Sequence, residues 1–110
     1  MTVNITTHTE FDRQMKRYAK KYRSLANDYA NFLKSIHNNP FQGVDLGDGI
    51  RKVRLAVAAK GKGKSGGMRV ITFSLEKIND EIINVTLLYI YDKKEISNVS
   101  DDFIRYLLER

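Results

Sequence analysis

The feature that most constrains the fold of this chain is residues 51–73, where two apolar-patterned runs flank a loop of glycine and lysine. The first run covers residues 52–58 and the second residues 68–74, and the loop at 60–67 reads KGKGKSGG. Apolar residues at every second position are typical of a β-strand with one buried face. The stretch therefore predicts two neighbouring strands joined through a glycine-rich tip.

The same stretch is basic throughout, with no acidic residue between Asp48 and Glu76. Its basic residues are Arg51, Lys52, Arg54, Lys60, Lys62, Lys64 and Arg69. Alternation puts the aliphatic residues of the first strand on one face and turns Lys52 and Arg54 to the other. Arg69 joins them if the two strands are in register. A cationic sheet face beside a cationic loop indicates a polyanionic partner.

Composition narrows the class of protein. With 110 residues, of which 42% are hydrophobic and 29% charged, the chain is predicted to form one soluble domain spanning residues 1–110. Its net charge of +6 favours a phosphate-rich partner or an acidic protein. The absence of cysteine excludes disulfides and thiolate metal sites and suits a reducing compartment. Neither a signal peptide nor a membrane-spanning run is found, so we expect a cytoplasmic protein without a membrane partner.

The first half of the chain predicts a strand followed by two helices. An alternating run at residues 3–6 predicts the strand, and the capping-box pattern from Thr7 to Glu10 predicts a helix start at about Thr7. Apolar residues at helical spacing then predict two helices that are divided at Ser24 and end before Pro40. Their short link predicts an antiparallel hairpin. Residues 41–49 are predicted to be a turn-rich connector.

The second half predicts further strands and a last helix. Residues 77–81 predict a hairpin turn, and the β-branched and aromatic run at 82–91 predicts a central strand. A polar loop at 92–98 precedes a helix capped near Ser100. The predicted fold is α+β, with the order β-α-α-β-β-β-α. Short links between successive strands favour an antiparallel sheet that packs against the helical hairpin.

The glycine–lysine loop matches a phosphate-binding P-loop only in part. Gly63, Lys64 and Ser65 fit the end of that pattern, but Ala58 stands where it requires glycine. A strand also follows the loop where a P-loop needs a helix, so we reject nucleotide hydrolysis here. The lysines either contact phosphate or serve only solubility, and their spacing is compatible with both.

Outside the basic stretch, few residues have side chains that commonly act in catalysis or base recognition. His8 and His37 lie at helix ends and are interpreted as structural. Metal-ligand spacing is not found, so no metal or other cofactor is expected. Tyr89 and Tyr91 end the last strand and either pack there or offer a ring for base stacking beside the basic face.

Three segments are similar to the RelE/ParE superfamily, the toxins of bacterial type II toxin–antitoxin modules, and more closely to its RelE/HigB-like branch. The segments read TEFDRQMKRYAKKY, KVRLAVAAKGKGKSGGMRVITF and LLYIYDKKEISNVS. The similarity covers residues 3–108, and GKGKSGGMRVI is its most specific part. It implies the RelE-like fold and a cognate antitoxin. For the RelE-like branch it further implies cleavage of mRNA in the ribosomal A site, in contact with ribosomal RNA.

The resemblance also implies a reaction and a site. In this branch an RNA 2′-hydroxyl attacks the adjacent phosphate, which requires a proton acceptor, a proton donor and cations for the growing charge. The catalytic candidates at matching positions are Lys52, Arg54, Arg69 and either Lys93 or Lys94. The candidates for further RNA contacts are Arg51, Lys60, Lys62, Lys64 and Tyr91.

For each catalytic candidate we state a role as a hypothesis. Arg69 stabilises the phosphorane, and Lys52 and Arg54 contact phosphate and lower the pKa of the 2′-hydroxyl. Lys93 or Lys94 assists the leaving group.

The chain departs from the family pattern at residues 97–100. Some relatives carry a tyrosine there, near the chemistry, whereas this chain reads SNVS and has Tyr91 as its nearest ring. The identity of the general base therefore stays open. Two alternatives stand beside the ribonuclease: a ParE-like inhibitor that binds DNA gyrase and cleaves nothing, and a catalytically inactive relative.

Overall fold

The structure, a computed structural model, describes residues 2–60, 67–77 and 81–110. In these ranges the chain forms a five-stranded sheet, three α-helices and a short 3-10 turn at Ala58–Lys60. The elements in chain order are β1 (Thr2–Thr7), α1 (Thr9–Lys21), α2 (Leu25–Asn38), β2 (Val44–Gly47), β3 (Ile50–Ala56), β4 (Gly67–Lys77), β5 (Ile82–Asp92) and α3 (Asp101–Leu108). The predicted α+β, RelE-like class is confirmed. The predicted glycine–lysine tip at 61–66 and the turn residues 78–80 lie outside the described residues.

The strand order is β1-β5-β4-β3-β2, and the sheet is mixed. β3, β4 and β5 pair antiparallel, as predicted, but β1 pairs with β5 in parallel, with Thr2 opposite Ile82 and Thr7 opposite Leu87. The prediction of a wholly antiparallel sheet is therefore wrong. Parallel neighbours require a long connection, and here most of the chain separates the two strands.

The predicted connector at residues 41–49 contains a short edge strand, β2, whose Val44 lies opposite Lys52 of β3. All four of its residues are exposed, so the alternation that reveals a half-buried strand is missing. Gly47, Asp48 and Gly49 have positive φ angles of 92°, 55° and 81° and turn the chain tightly into β3. The connector is thus turn-rich, as predicted, and it also adds an edge strand to the sheet.

The helical hairpin forms as predicted, with a small shift at its start. His8, and not Thr7, caps α1, because its Nδ1 accepts a hydrogen bond of 3.0 Å from the Glu10 backbone N–H. The other ring nitrogen, Nε2, lies 3.1 Å from the carbonyl oxygen of Leu107 and donates to it. His8 therefore joins the start of α1 to the end of α3, in line with its structural interpretation.

Two apolar clusters lie on opposite faces of the sheet. The first packs α1 and α2 onto β3, β4 and β5, with Tyr18, Phe32 and Leu55 among its buried members. The second packs Ile104 and Leu107 of α3 onto the other face. β5 contributes buried residues to both clusters, which explains why its sequence is apolar on both sides. Since α3 has only eight residues, the residues that the structure describes leave part of the second face uncovered.

Candidate functional site

The uncovered part of the second face carries a row of directly opposed residues on three strands. Arg54 of β3 lies opposite Arg69 of β4, and Arg69 lies opposite Tyr91 of β5. Opposite residues share a face, with Cβ atoms about 4.5–5.5 Å apart. Lys52 lies two residues before Arg54, opposite Ile71, on the same face. The register therefore brings Lys52, Arg54 and Arg69 together.

The members of this cationic row, defined as Lys52, Arg54 and Arg69, differ in exposure. Arg54 is exposed, whereas Lys52 and Arg69 are half-buried. The Arg69 guanidinium donates a hydrogen bond of 3.3 Å to the carbonyl oxygen of Met68, which holds it against its own strand. Like charges on opposed residues destabilise a sheet, and an anion that bridges the two guanidinium groups relieves this repulsion. The row is therefore a candidate binding site for a phosphate.

Asn98 reaches the same face from the segment that follows β5. The Lys52 Nζ donates a hydrogen bond of 3.4 Å to the Asn98 Oδ1, while Ile96 and Val99 pack against the second cluster. The sequence stretch that lacks the relatives' tyrosine thus lies beside the cationic row. Sequence reasoning singled out this segment for its missing ring but did not identify Asn98 as a neighbour of Lys52.

Tyr91 forms the floor of the row and does not present its ring at the surface. Its side chain is 1% exposed, and its hydroxyl has no hydrogen-bond partner among the described residues. Burial raises the pKa of this hydroxyl, and the nearby Arg69 charge opposes the rise. A ring buried to this degree does not stack on an RNA base, so the structure gives Tyr91 a different place from the one expected.

Lys60 is likewise internal. Its side chain is 2% exposed, and its ammonium group donates a hydrogen bond to the carboxylate of Asp92, which is 1% exposed. The Tyr22 hydroxyl donates to the same carboxylate. Burial alone disfavours the charged form, but the hydrogen bonds from Lys60, Tyr22 and the Lys94 backbone outweigh it and lower the pKa of Asp92 to about 2. Lys60 is therefore bound within the protein and does not face a partner.

The remaining predicted site residues that the structure describes do not belong to the row. Arg51 points to the hairpin face, where its guanidinium lies 4.9 Å from the centre of the Phe41 ring, so the register does not bring it to the row. Lys93 and Lys94 are exposed in the turn after β5. That turn begins two residues beyond Tyr91, at the same end of the sheet as Arg69. Lys62 and Lys64 lie outside the described residues.

The chemistry available on this face is that of fixed cations. Arginine presents a planar fork that binds phosphate bidentately and stays charged at any physiological pH. In the part of the chain that the structure describes, no group of three histidine, aspartate or glutamate side chains is placed to hold a metal ion. None of the described helices has the length and apolar character needed to cross a membrane.

Comparison with known families agrees with this architecture. Residues 9–109 match the family described as the RelE toxin of the RelE/RelB toxin–antitoxin system. The match runs from the first residue of α1 through the last residue of α3 and includes the whole cationic row. The chain therefore belongs to the RelE toxin family, the toxins of RelE/RelB toxin–antitoxin systems.

Proposed function

We propose that this toxin is a ribosome-dependent mRNA endoribonuclease of a type II module that inhibits translation in the cytoplasm. The single observation that carries the proposal is the cationic row, which concentrates two guanidinium groups and one ammonium group on an open sheet face. Membership of the RelE toxin family supports it, and so does the net charge of +6. No cofactor takes part in the proposed reaction.

The row suits an in-line transfer at phosphorus. The RNA 2′-oxygen forms a bond to the adjacent phosphorus while the bond from phosphorus to the 5′-oxygen breaks, leaving a 2′,3′-cyclic phosphate and a 5′-hydroxyl. Negative charge grows on the non-bridging oxygens during this step, and fixed donors placed where charge develops are the most effective catalysts. Arg69, held against the sheet, stabilises the phosphorane, and the more exposed Arg54 binds the incoming phosphate with Lys52.

Proton transfers complete the reaction. The 2′-hydroxyl loses its proton to a base, and the 5′-oxygen gains one as it leaves. Cations close to the 2′-hydroxyl lower its pKa, which makes the first transfer easier. Lys93 or Lys94, in the turn beside the row, donates to the leaving oxygen. We assign no residue as the base and propose that ribosomal RNA and the A site supply the substrate geometry.

The antitoxin is the second partner. A protein that silences this toxin needs acidic side chains where it meets the cationic row, because complementary charge both speeds encounter and excludes RNA from the site. We therefore expect the antitoxin to cover the face formed by β3 and β4.

A catalytically inactive relative is the second candidate, and a specific observation favours it. Residues 97–100 read SNVS beside the row, and the Tyr91 hydroxyl is buried, so neither place presents a tyrosine hydroxyl to substrate. A ParE-like gyrase inhibitor is the third candidate. An inhibitor of this kind needs no phosphate-binding row, so this candidate leaves the cationic row unexplained.

The test is primer extension on an mRNA translated in a purified system, comparing the wild type with Arg69→Ala. Arg13→Ala, which removes an exposed arginine on α1, is the matched control. Cuts that need ribosomes, vanish in Arg69→Ala and persist in Arg13→Ala support the proposal. Cuts that survive in Arg69→Ala keep the activity but reject the site. Absence of cuts from every protein rejects the ribonuclease, and a gyrase supercoiling assay then decides between the other candidates.

A further inference from the structure

Asp92, at the end of β5, is bound by groups from three parts of the chain. Its carboxylate accepts hydrogen bonds from the Lys60 ammonium, the Tyr22 hydroxyl and, at 2.9 Å, the backbone N–H of Lys94. Its own backbone N–H donates to the Tyr18 hydroxyl at 3.1 Å. These partners belong to α1, the turn after β3 and the turn after β5. We call Asp92 with Lys60, Tyr18 and Tyr22 the Asp92 cluster.

The ion pair in this cluster is buried on the hairpin side of the sheet. The Lys60 ammonium is within 3.5 Å of the Gly67 carbonyl oxygen and 5.5 Å from the centre of the Tyr22 ring. Replacing a buried ion pair with apolar residues is often neutral or stabilising, because desolvation offsets the attraction between the charges. Stability alone therefore does not explain the pair, and its position in the fold becomes the informative feature.

The cluster holds both chain segments that flank the cationic row. Lys60 and Gly67 are the first and last residues of the glycine–lysine loop, and the Gly67 carbonyl oxygen lies near the Lys60 ammonium. On the other side, the backbone N–H groups of Glu95 and Ile96 each donate to the Asp92 carbonyl oxygen at 3.0 Å. This closes the turn that carries Lys93 and Lys94.

The turn after β5 is also tied to α1. The Glu95 carboxylate lies 3.2 Å from the Arg17 guanidinium and 3.3 Å from the Lys21 ammonium. Beyond Glu95 the chain passes to the other face of the sheet, where Ile96 packs in the second cluster. Asp92 therefore marks the point at which the chain turns around the end of the sheet toward the row.

We propose that Asp92 is a positioning residue that holds the turn at Ala58–Lys60 through Lys60, and the turn bearing Lys93 and Lys94 through the Lys94 N–H, in register with Arg54 and Arg69. Lys60 acts as the internal anchor of the Ala58–Lys60 turn and makes no contact with RNA. This inference rests on the proposed ribonuclease function, since it assigns Asp92 a part in that reaction.

Two variants separate positioning from binding. Lys60→Met removes the internal cation, and Lys52→Met removes a cation of the row with the same change in charge. We expect Lys60→Met to lower kcat at least tenfold with KM changed less than threefold. It should leave the dependence of RNA binding on salt unchanged. Lys52→Met should flatten that dependence by about 0.7–0.9 in the slope of log affinity against log salt concentration, since each phosphate contact contributes that amount.

Conservative replacements and a double variant guard against simple unfolding. Lys60→Arg keeps a cation for Asp92 and should restore most of kcat, which a merely apolar contact would not predict. If Lys60→Met does not fold, Lys60→Met/Asp92→Asn removes both charges together and leaves no buried charge unpaired. That double variant should fold with a melting temperature near the wild-type value and still show the lowered kcat.

A measurement independent of activity completes the test. Amide hydrogen exchange should become faster at Lys94, Glu95 and Ile96 in Asp92→Asn, with global stability matched by urea. Unchanged exchange at these amides overturns the positioning role even if the protein cleaves RNA. If Lys60→Met flattens the salt dependence as Lys52→Met does, Lys60 contacts RNA and the inference is wrong. Faster exchange in a protein without ribonuclease activity instead places the failure in the proposed function.

Discussion

The two faces of the sheet are built from the same alternating strands, yet one is closed and the other is open at one end. On the first face α1 and α2, with 13 and 14 residues, cover β3, β4 and β5, and residues such as Val53 and Leu55 are completely buried. On the second face α3 covers only the end near Ile50 and Ile71. Lys52, directly opposite Ile71, begins the cationic row, which continues on the same face to Arg54 and Arg69.

This difference shows how β3 contributes side chains both to the apolar core and to the candidate site. Alternation decides which side chains share a face, and the length of the covering helix decides where the apolar cluster stops and the cations begin. Leu55 and Arg54 are neighbours in sequence but differ completely in surroundings. Substitutions at these two positions should therefore affect different properties of the protein.

The largest effect on stability is expected from Leu55→Ala. Leu55 is fully buried under the helical hairpin, and a leucine truncated in a core costs about 2–5 kcal/mol because a cavity remains. Urea unfolding followed by circular dichroism measures the loss. Cleavage per folded molecule should stay within about twofold of the wild type. A large loss of specific activity would show that the two faces are not independent.

Arg54→Ala should show the opposite pattern. Removal of one donor from a site that stabilises developing charge lowers kcat by about 10²–10³, equivalent to about 2.7–4 kcal/mol. The free energy of unfolding should change far less than in Leu55→Ala, because Arg54 is exposed and its truncation leaves no cavity in the core. Single-turnover cleavage on ribosomes measures the first effect, with Arg13→Ala as the control. Normal cleavage by Arg54→Ala would remove this arginine from the site.

Acid unfolding tests the charged cluster on the closed face. The pKa of Asp92 is lowered from 3.8 to about 2, so the folded state binds fewer protons than the unfolded state in this range. The resulting stabilisation is complete above about pH 5 and disappears as the pH falls toward 2, and it amounts to about 2 kcal/mol. The free energy of unfolding measured between pH 2 and 5 should rise with pH in the wild type. In Asp92→Asn this component of the slope should be missing.

The smallest effect is expected from Lys93→Ala, at the margin of the open face. Lys93 is one of two candidate donors to the leaving oxygen, and Lys94 remains in this variant. Loss of one exposed phosphate contact should therefore lower RNA affinity about tenfold or less and reduce the salt slope by no more than about 0.9. Lys34→Ala, at an exposed position of α2, is the control and should change neither quantity. Equal effects from the two variants would mean that only net charge matters and that the turn after β5 does not reach the RNA.

Particular residues show what the sequence could predict. Alternation alone put Val53, Leu55 and Val57 on one face and Lys52 and Arg54 on the other, and the structure agrees. The register that adds Arg69 to them was a condition of the prediction, because alternation states which residues share a face but not which strands are neighbours. The same gap explains why the parallel pairing of β1 with β5 was missed.

The internal role of Lys60 could not be predicted for a different reason. It stands in a run with Lys62 and Lys64 and has the same local sequence character as they do. Its partner Asp92 is 32 residues away and is reached only when the turn after β3 and the end of β5 lie side by side. Burial of a charge depends on such tertiary neighbours, and composition carries no sign of them.

The parallel pairing of β1 with β5 also governs how this protein folds. The two strands are 80 residues apart, and β5 lies between β1 and β4 in the finished sheet. Closing the long loop between the two strands costs conformational entropy before their hydrogen bonds and packing contacts form. This cost slows folding. A chain cut before Ile82 leaves β1 without a strand to pair with and lacks the carboxylate of Asp92. Truncated products of its own message would thus be unable to assemble the site.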